Sequence, residues 1–294
     1  MNLLLAFALI ACVLAAGTYN PAIAKRAMHL SCASYCDSDK AVNGWTCPVC
    51  KTIDDISFVR VVRNEKTEAR GYVALEVDPK TSAKTIHVVF RGTDSNENWL
   101  EDAEAWQTEH KNWPGVKVHR GFSEVYLSIS ETMNGLVRQL LEQGGVSLVQ
   151  VTGHSLGAAL ASLSATDLRI SGIVGRDVPL HLYTFGEPRV GTKAYAEMVP
   201  RTVDQVFRVT HYADIVPHLP MENMLVEKYH HEPTEVWYNE PNTEYRVCDG
   251  SGEDPTCSDS KATHVMDFKK GFKDHTFYLD VDVWTCMHVC HKDP

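Results

Sequence analysis

Three blocks of β-branched and apolar residues, at positions 56–63, 71–77 and 85–90, alternate with the turn-forming clusters Asn64-Glu65-Lys66 and Asp78-Pro79-Lys80. That pattern predicts strands joined by short connections, and so an antiparallel start to a sheet. Ahead of them, Ala24, Met28, Leu30 and Ala33 share one helical face within residues 19–36, which predicts a helix lying across the sheet. A second helix is predicted over 122–142. Beyond it the chain alternates: a buried strand at 148–152, a helix of small residues (Ala158, Ala159, Leu160, Ala161, Leu163), strands at 181–185 and 206–211, and a late hairpin within 235–247. Strand and helix in that order predict one α/β domain with a mostly parallel central sheet and crossover helices. Reactive side chains then collect at the carboxyl ends of the strands.

Composition adds compartment. The 294 residues are 44% hydrophobic with no Pro/Gly/Ser-rich linker, which suits a single domain. The apolar run Leu3 to Leu14, closed by Ala15-Ala16-Gly17, has the form of a secretory signal over residues 1–17, with the mature domain at 18–294. The stretch before the run lacks Lys and Arg, and Ala22-Ile23-Ala24 offers a second cleavage site. The run is shorter than the roughly 20 residues of a spanning helix, so no transmembrane anchor is expected. Of the 9 cysteines, only Cys12 lies in the signal, which leaves an even set suited to disulfides outside the cytosol. Cys47-Pro48-Val49-Cys50 also fits a redox motif or, with Cys32 and Cys36, half of a zinc site, but a secreted chain favours cystines. His218, His230, His231, His264 and His288 lack zinc-ligand spacing, so neither metal nor cofactor is expected. A net charge of -10 argues against nucleic acid and anionic membranes as partners, while neutral lipid surfaces stay open. Oligomeric state is not legible.

The chemistry centres on Gly153-His154-Ser155-Leu156-Gly157, a G-x-S-x-G between the buried strand and the small-residue helix. That context predicts a nucleophile elbow, with Ser155 on the turn and its side chain pushed out past the end of the sheet. A serine hydroxyl needs an imidazole base, and the imidazole needs a carboxylate to hold its tautomer. Asp214, just beyond the strand at 206–211, and then His275 follow in hydrolase order, and order and position select His275 from 14 histidines.

The same residues resemble the secreted fungal-type class 3 lipases related to those of Rhizomucor, Rhizopus and Thermomyces, within the α/β-hydrolase fold. The resemblance runs through Ala33-Ser34-Tyr35-Cys36, Val89-Phe90-Arg91-Gly92-Thr93, Val118-His119-Arg120-Gly121-Phe122, the G-x-S-x-G itself, Pro188-Arg189-Val190-Gly191, Asp214-Ile215-Val216-Pro217 and His275-Thr276-Phe277-Tyr278. It implies Ser155 as nucleophile, Asp214 as acid and His275 as base, with oxyanion donors at Thr93 and at the backbone of Leu156. It also implies a short helical lid over 96–106, with Trp99, Leu100, Ala103 and Trp106 on one face and Glu97, Asp102 and Glu104 around it. An acidic lid departs from relatives that attack lipid droplets and weakens the expectation of interfacial activation. Arg91 and Arg189 are read as structural ion-pair residues. The implied cystines are Cys36 with Cys286, Cys47 with Cys50 and Cys248 with Cys257, leaving Cys32 with Cys290. The expected activity is a secreted, cofactor-free lipase acting on acylglycerols or other esters, in solution or at a lipid–water interface. A phospholipase A1, a feruloyl-type esterase and, more distantly, a noncatalytic lipid-binding protein are the competing readings.

Overall fold

A computed structural model describes residues 17–93, 106–222, 228–261 and 268–289. The chain enters through helix α1 (Pro21–Ala33) and the short α2 (Asp39–Asn43). Strands β1 (Ile56–Asn64), β2 (Ala69–Val77) and β3 (Lys84–Phe90) follow, then the short β4 (Gln107–Glu109) and β5 (Lys117–His119) and the long α3 (Arg120–Glu142). The second half contains β6 (Val146–His154), α4 (Leu156–Ile170), β7 (Leu180–Phe185), α5 (Lys193–Thr202), β8 (Gln205–His211), β9 (Glu235–Tyr238) and β10 (Tyr245–Val247). It closes with α6 (Phe268–His275), the two-residue strands β11 (Phe277–Tyr278) and β12 (Val281–Asp282), and α7 (Val283–Val289).

The central sheet has 8 strands in the order β1-β2-β3-β6-β7-β8-β9-β10. Pairing is antiparallel from β1 to β3, parallel from β3 through β9, and antiparallel again at the β9–β10 hairpin. This is the mostly parallel sheet expected from the strand–helix alternation. Period-two geometry divides its side chains between the two faces of the sheet. Ile86, Val88 and Phe90 of β3, with Val149 and Val151 of β6, meet Phe122, Tyr126, Ile129, Met133, Val137 and Leu140 of α3. Those α3 positions recur every three or four residues, so they form one continuous buried stripe. On the opposite face, Tyr183 and Phe185 of β7 and Phe207 and Val209 of β8 pack with Ala24, Ala27 and Met28 of α1. Helix α4 is buried on nearly all sides, because Ala158, Ala159, Ala161 and Ala165 let its backbone lie close against the strands.

The structure differs from the sequence expectation in its shorter elements and in its cystines. Helix α5 falls where no element was expected, as do the short α2, β4, β5, α6, β11, β12 and α7. Only Tyr195, Ala196, Val199 and Thr202 of α5 are buried and Pro200 interrupts it, so its periodic signal is short. The second difference is a correction to the cystines: Cys286 is bonded to Cys32, not Cys36, with Cα atoms 5.6 Å apart. The reason is that α1 ends at Ala33. Cys32 still faces α7 and joins the core containing Cys286 and Met287, whereas Cys36, beyond the helix end, turns into a separate core with Val42, Ile53 and Val59. This bond also overturns the expected Cys32–Cys290 pairing; Cys290 lies outside the described residues. Cys47–Cys50 and Cys248–Cys257 are bonded.

Candidate active site

Strand β6 runs directly into the turn at Ser155, and α4 starts at the next residue. Ser155 has φ 60° and ψ −131°, a region that side-chain-bearing residues rarely occupy and that costs on the order of 1–3 kcal/mol. Packing enforces it. The Ser155 N–H donates to the Phe185 carbonyl at 2.9 Å, and the Ser155 carbonyl accepts the Ala158 N–H at 2.9 Å. A Cβ on Gly153 would overlap the Gly157 carbonyl, and one on Gly157 would overlap the Phe90 carbonyl. Both glycines are therefore required by the close crossing of β3, β6 and α4.

Asp214 lies just past the end of β8 and is buried. Its Oδ1 accepts the Val216 N–H at 2.8 Å, and its Oδ2 accepts His275 Nδ1 at 2.9 Å. The Tyr278 hydroxyl donates to that same Oδ2. Burial by itself would raise the Asp214 pKa, but the His275 imidazole, the Tyr278 hydroxyl and the Val216 amide outweigh it and hold the carboxyl below its ordinary value. With Nδ1 donating, neutral His275 keeps its lone pair on Nε2, the form a general base requires. Burial and the Asp214 charge push the Tyr278 phenol well above its ordinary pKa, so it remains a donor.

Gly186, one residue past β7, joins these pieces. Its φ is +57°, and a Cβ there would stand 2.8 Å from both Asp214 Oδ2 and His275 Nδ1. Since Phe185 holds the Ser155 amide, residues 185 and 186 bring the elbow and the Asp–His pair together. The segment after β3 completes the cleft: a Cβ on Gly92 would lie 3.1 Å from Ser155 Cβ, which places half-buried Thr93 beside the turn. Leu156 is the first residue of α4, where a backbone N–H has no intrahelical acceptor.

The structure thus gathers Ser155, Asp214, His275, Leu156 and Thr93 around the carboxyl ends of β3, β6, β7 and β8. Trp99, Leu100 and Ala103 of the expected lid lie outside the described residues. Trp106 is 56% exposed just ahead of β4, and its carbonyl accepts the Arg120 N–H at 2.8 Å. Arg189 is buried in a bidentate pair with Glu253 at 2.8 and 2.7 Å, away from the elbow chemistry. Arg91 Nη1 lies 3.8 Å from Asp37. Among the described residues, Glu235, Cys248 and Cys257 stand close enough to share an ion, but the two sulfurs are bonded to each other and offer no thiolate. Sequence reasoning assigned no role to Tyr35, His154, Gly186 or Tyr278. Tyr35, His154 and Tyr278 lie inside the quoted motifs and Gly186 outside them, but what each does depends on a partner far away along the chain.

The class 3 lipase family model matches residues 87–224. The chain is 33% identical over 261 residues to a lipase of Rhizomucor miehei, covering 87% of this chain and 68% of that protein. It is 32% identical over 231 residues to a secreted mono- and diacylglycerol lipase of Fusarium solani, covering 74% of this chain and 66% of that one. The chain therefore spans about two thirds of the length of these relatives. A solved triacylglycerol lipase, in which a serine protease triad forms the catalytic centre, superposes with a TM-score of 0.77 at 30% identity over 92% of this chain and 98% of that one.

Proposed function

The chain belongs to the class 3 lipase family, and on that premise we propose that it hydrolyses acylglycerol esters through a Ser155–His275–Asp214 triad. The observation that carries this reading is the strained Ser155 turn set against the buried His275–Asp214 pair at 2.9 Å. Ser155 Oγ attacks the ester carbonyl carbon while its proton passes to His275 Nε2. Asp214 stays ionised, fixes the tautomer and stabilises the imidazolium. The negative charge that develops on the carbonyl oxygen is taken up by the Leu156 N–H and by Thr93. Collapse of the intermediate breaks the bond to the alcohol oxygen, which leaves with the proton from His275. Water then repeats the sequence on the acyl-enzyme, releasing the fatty acid and restoring Ser155.

The N-terminal apolar run and the paired cysteines support export from the cell before the protein acts. Among the described residues, no helix is long and apolar enough to cross a membrane. The substrate is an acylglycerol in this reading, with mono- and diacylglycerols included because a mono- and diacylglycerol lipase is among the relatives, and the acidic residues of 96–106 count against a strong preference for long-chain triacylglycerol. The test measures hydrolysis of p-nitrophenyl esters from acetate to palmitate, monoacylglycerol, emulsified triacylglycerol and phosphatidylcholine, with Ser155→Ala alongside. Acylglycerol cleavage that vanishes in Ser155→Ala is the expected result. Equal activity in that variant overturns the mechanism, and preference for phosphatidylcholine overturns the substrate.

A further inference from the structure

We propose that His154, together with Tyr35, is a positioning device for the base: a hydrogen-bonded strut from the end of α1 through the residue before the nucleophile to the main chain of His275. The inference rests on the triad assigned above.

Geometry and burial together fix the protons in the strut. His154 Nε2 lies 2.8 Å from the His275 carbonyl oxygen, which can only accept, so Nε2 carries the hydrogen. In the neutral ring that burial favours, the lone pair is on Nδ1, which lies 2.8 Å from Tyr35 Oη and accepts the phenolic hydrogen. A protonated ring would leave Tyr35 facing a donor. Burial, followed by the neighbouring His275, pushes the His154 pKa down to about 3, so the single tautomer holds across the working pH range.

The local sequence explains why these groups meet. Gln150, Thr152 and His154 alternate onto the α1 face of β6. Thr152 Oγ1 pairs with Ser31 Oγ at 3.1 Å, and four residues on from Ser31, about one further turn, Tyr35 reaches His154. Tyr35 Oη also fills the space where a Gly92 side chain would project, so the same hydroxyl abuts the segment leading to Thr93. The far end of the strut holds a residue with little regular structure after it. His275 ends α6 and is followed by two-residue strands, held at separate points: Tyr278 on Asp214, Phe277 and Leu279 on Asn242, and Cys286 bonded to Cys32 of α1. Asp214 fixes the His275 ring, and His154 fixes the backbone that carries the ring. Because His154 is joined covalently to Ser155, movement of the elbow and of the base is coupled.

A glutamine amide nitrogen can occupy the place of His Nε2 and keep the donor to His275. An asparagine reaches only the place of Nδ1, keeping Tyr35 and losing His275. The experiment measures p-nitrophenyl butyrate hydrolysis by His154→Gln, His154→Asn and Tyr35→Phe, with active sites counted by diethyl p-nitrophenyl phosphate so that kcat refers to folded, reactive enzyme. His154→Asn should lose about ten- to a hundredfold in kcat per titrated site with KM unchanged, while His154→Gln recovers to within about fivefold of the parent. Tyr35→Phe should lose severalfold, since the ring keeps its donor but not its anchor. Packing alone would lower the titratable fraction and leave kcat per site at the parent value, which overturns the strut. Equal losses in Gln and Asn variants overturn it too. Should both histidine variants fail to fold, Tyr35→Phe decides: an unchanged kcat per site rejects the proposal and the severalfold loss upholds it. Failure of the parent protein itself to react with the phosphate ester would instead reject the triad.

Discussion

Tyr278 and His275 hydrogen-bond to one and the same oxygen of Asp214, although Tyr278 follows His275 by only three residues. A single tight segment therefore supplies both the base and a second donor that keeps the acid ionised in a fully buried position.

Replacing Tyr278 with Phe leaves a buried carboxylate oxygen short of one donor, at a cost of about 1–3 kcal/mol. The Asp214 pKa lies below its unfolded value, so its contribution to stability is present above the unfolded carboxylate pKa and is lost as pH falls through the folded one. The variant's deficit should therefore be full at neutral pH and shrink on acidification. Urea unfolding from neutral to acid pH checks this. A deficit that does not change with pH would show that the phenol only packs.

Ser155→Gly and Ser155→Ala should both be inactive but not equally stable. Glycine adopts φ 60°, ψ −131° without strain, whereas alanine retains the serine's steric conflict. Glycine's larger unfolded-state entropy offsets part of the gain, leaving Ser155→Gly about 1 kcal/mol more stable than Ser155→Ala. Thermal melts of the two inactive proteins give the answer, and a more stable alanine variant contradicts the strained-turn account.

Cys32→Ser and Cys286→Ser should have equal effects. Their bond closes a loop across 254 residues, and the loop-entropy relation assigns such a link about 5 kcal/mol. Cys36→Ser should not reproduce this loss through Cys286. Peptide mapping without reduction should recover Cys32 joined to Cys286, and a Cys36–Cys286 peptide would restore the expectation that the structure overturned.

Glu187 is fully buried beside Glu232, with Thr184 Oγ1 donating to it at 2.5 Å. Burial first, and then the Glu232 charge, push its pKa well above the ordinary value. Because the folded pKa is the higher one, the protein is penalised progressively as pH rises from the unfolded carboxyl pKa towards the folded one. Glu187→Gln keeps the acceptor for Thr184 and cannot ionise. It should therefore be more stable by at least about 1 kcal/mol at pH 8, with a shrinking advantage at pH 4. Parallel stability curves for the two proteins across that range would falsify the assignment of Glu187 as a neutral buried acid.

Local order carried much of this protein on its own. The β-branched blocks at 56–63, 71–77 and 85–90, the α3 stripe from Phe122 to Leu140 and the G-x-S-x-G at a strand–helix junction are short-range patterns, and backbone periodicity turns them directly into strands, a helix and a turn. The candidate roles of Ser155, Asp214 and His275 were legible for the same reason, because each sits in a motif at the end of an element. What tertiary structure decided is what depends on distant segments meeting. Which of Cys32 and Cys36 faces Cys286 was set by where α1 ends and how α7 docks, since both cysteines lie within one turn's reach of that end. Gly186, His154, Tyr35 and Tyr278 carried no local signal, because a glycine's missing side chain or a phenol's proton matters only through a partner 28 to 121 positions away: Asp214 for Gly186, His275 for His154, His154 for Tyr35 and Asp214 for Tyr278. Periodicity reports which face of an element is buried; hydrogen-bond partners across the sheet are chosen by strand order and register, which no single segment encodes.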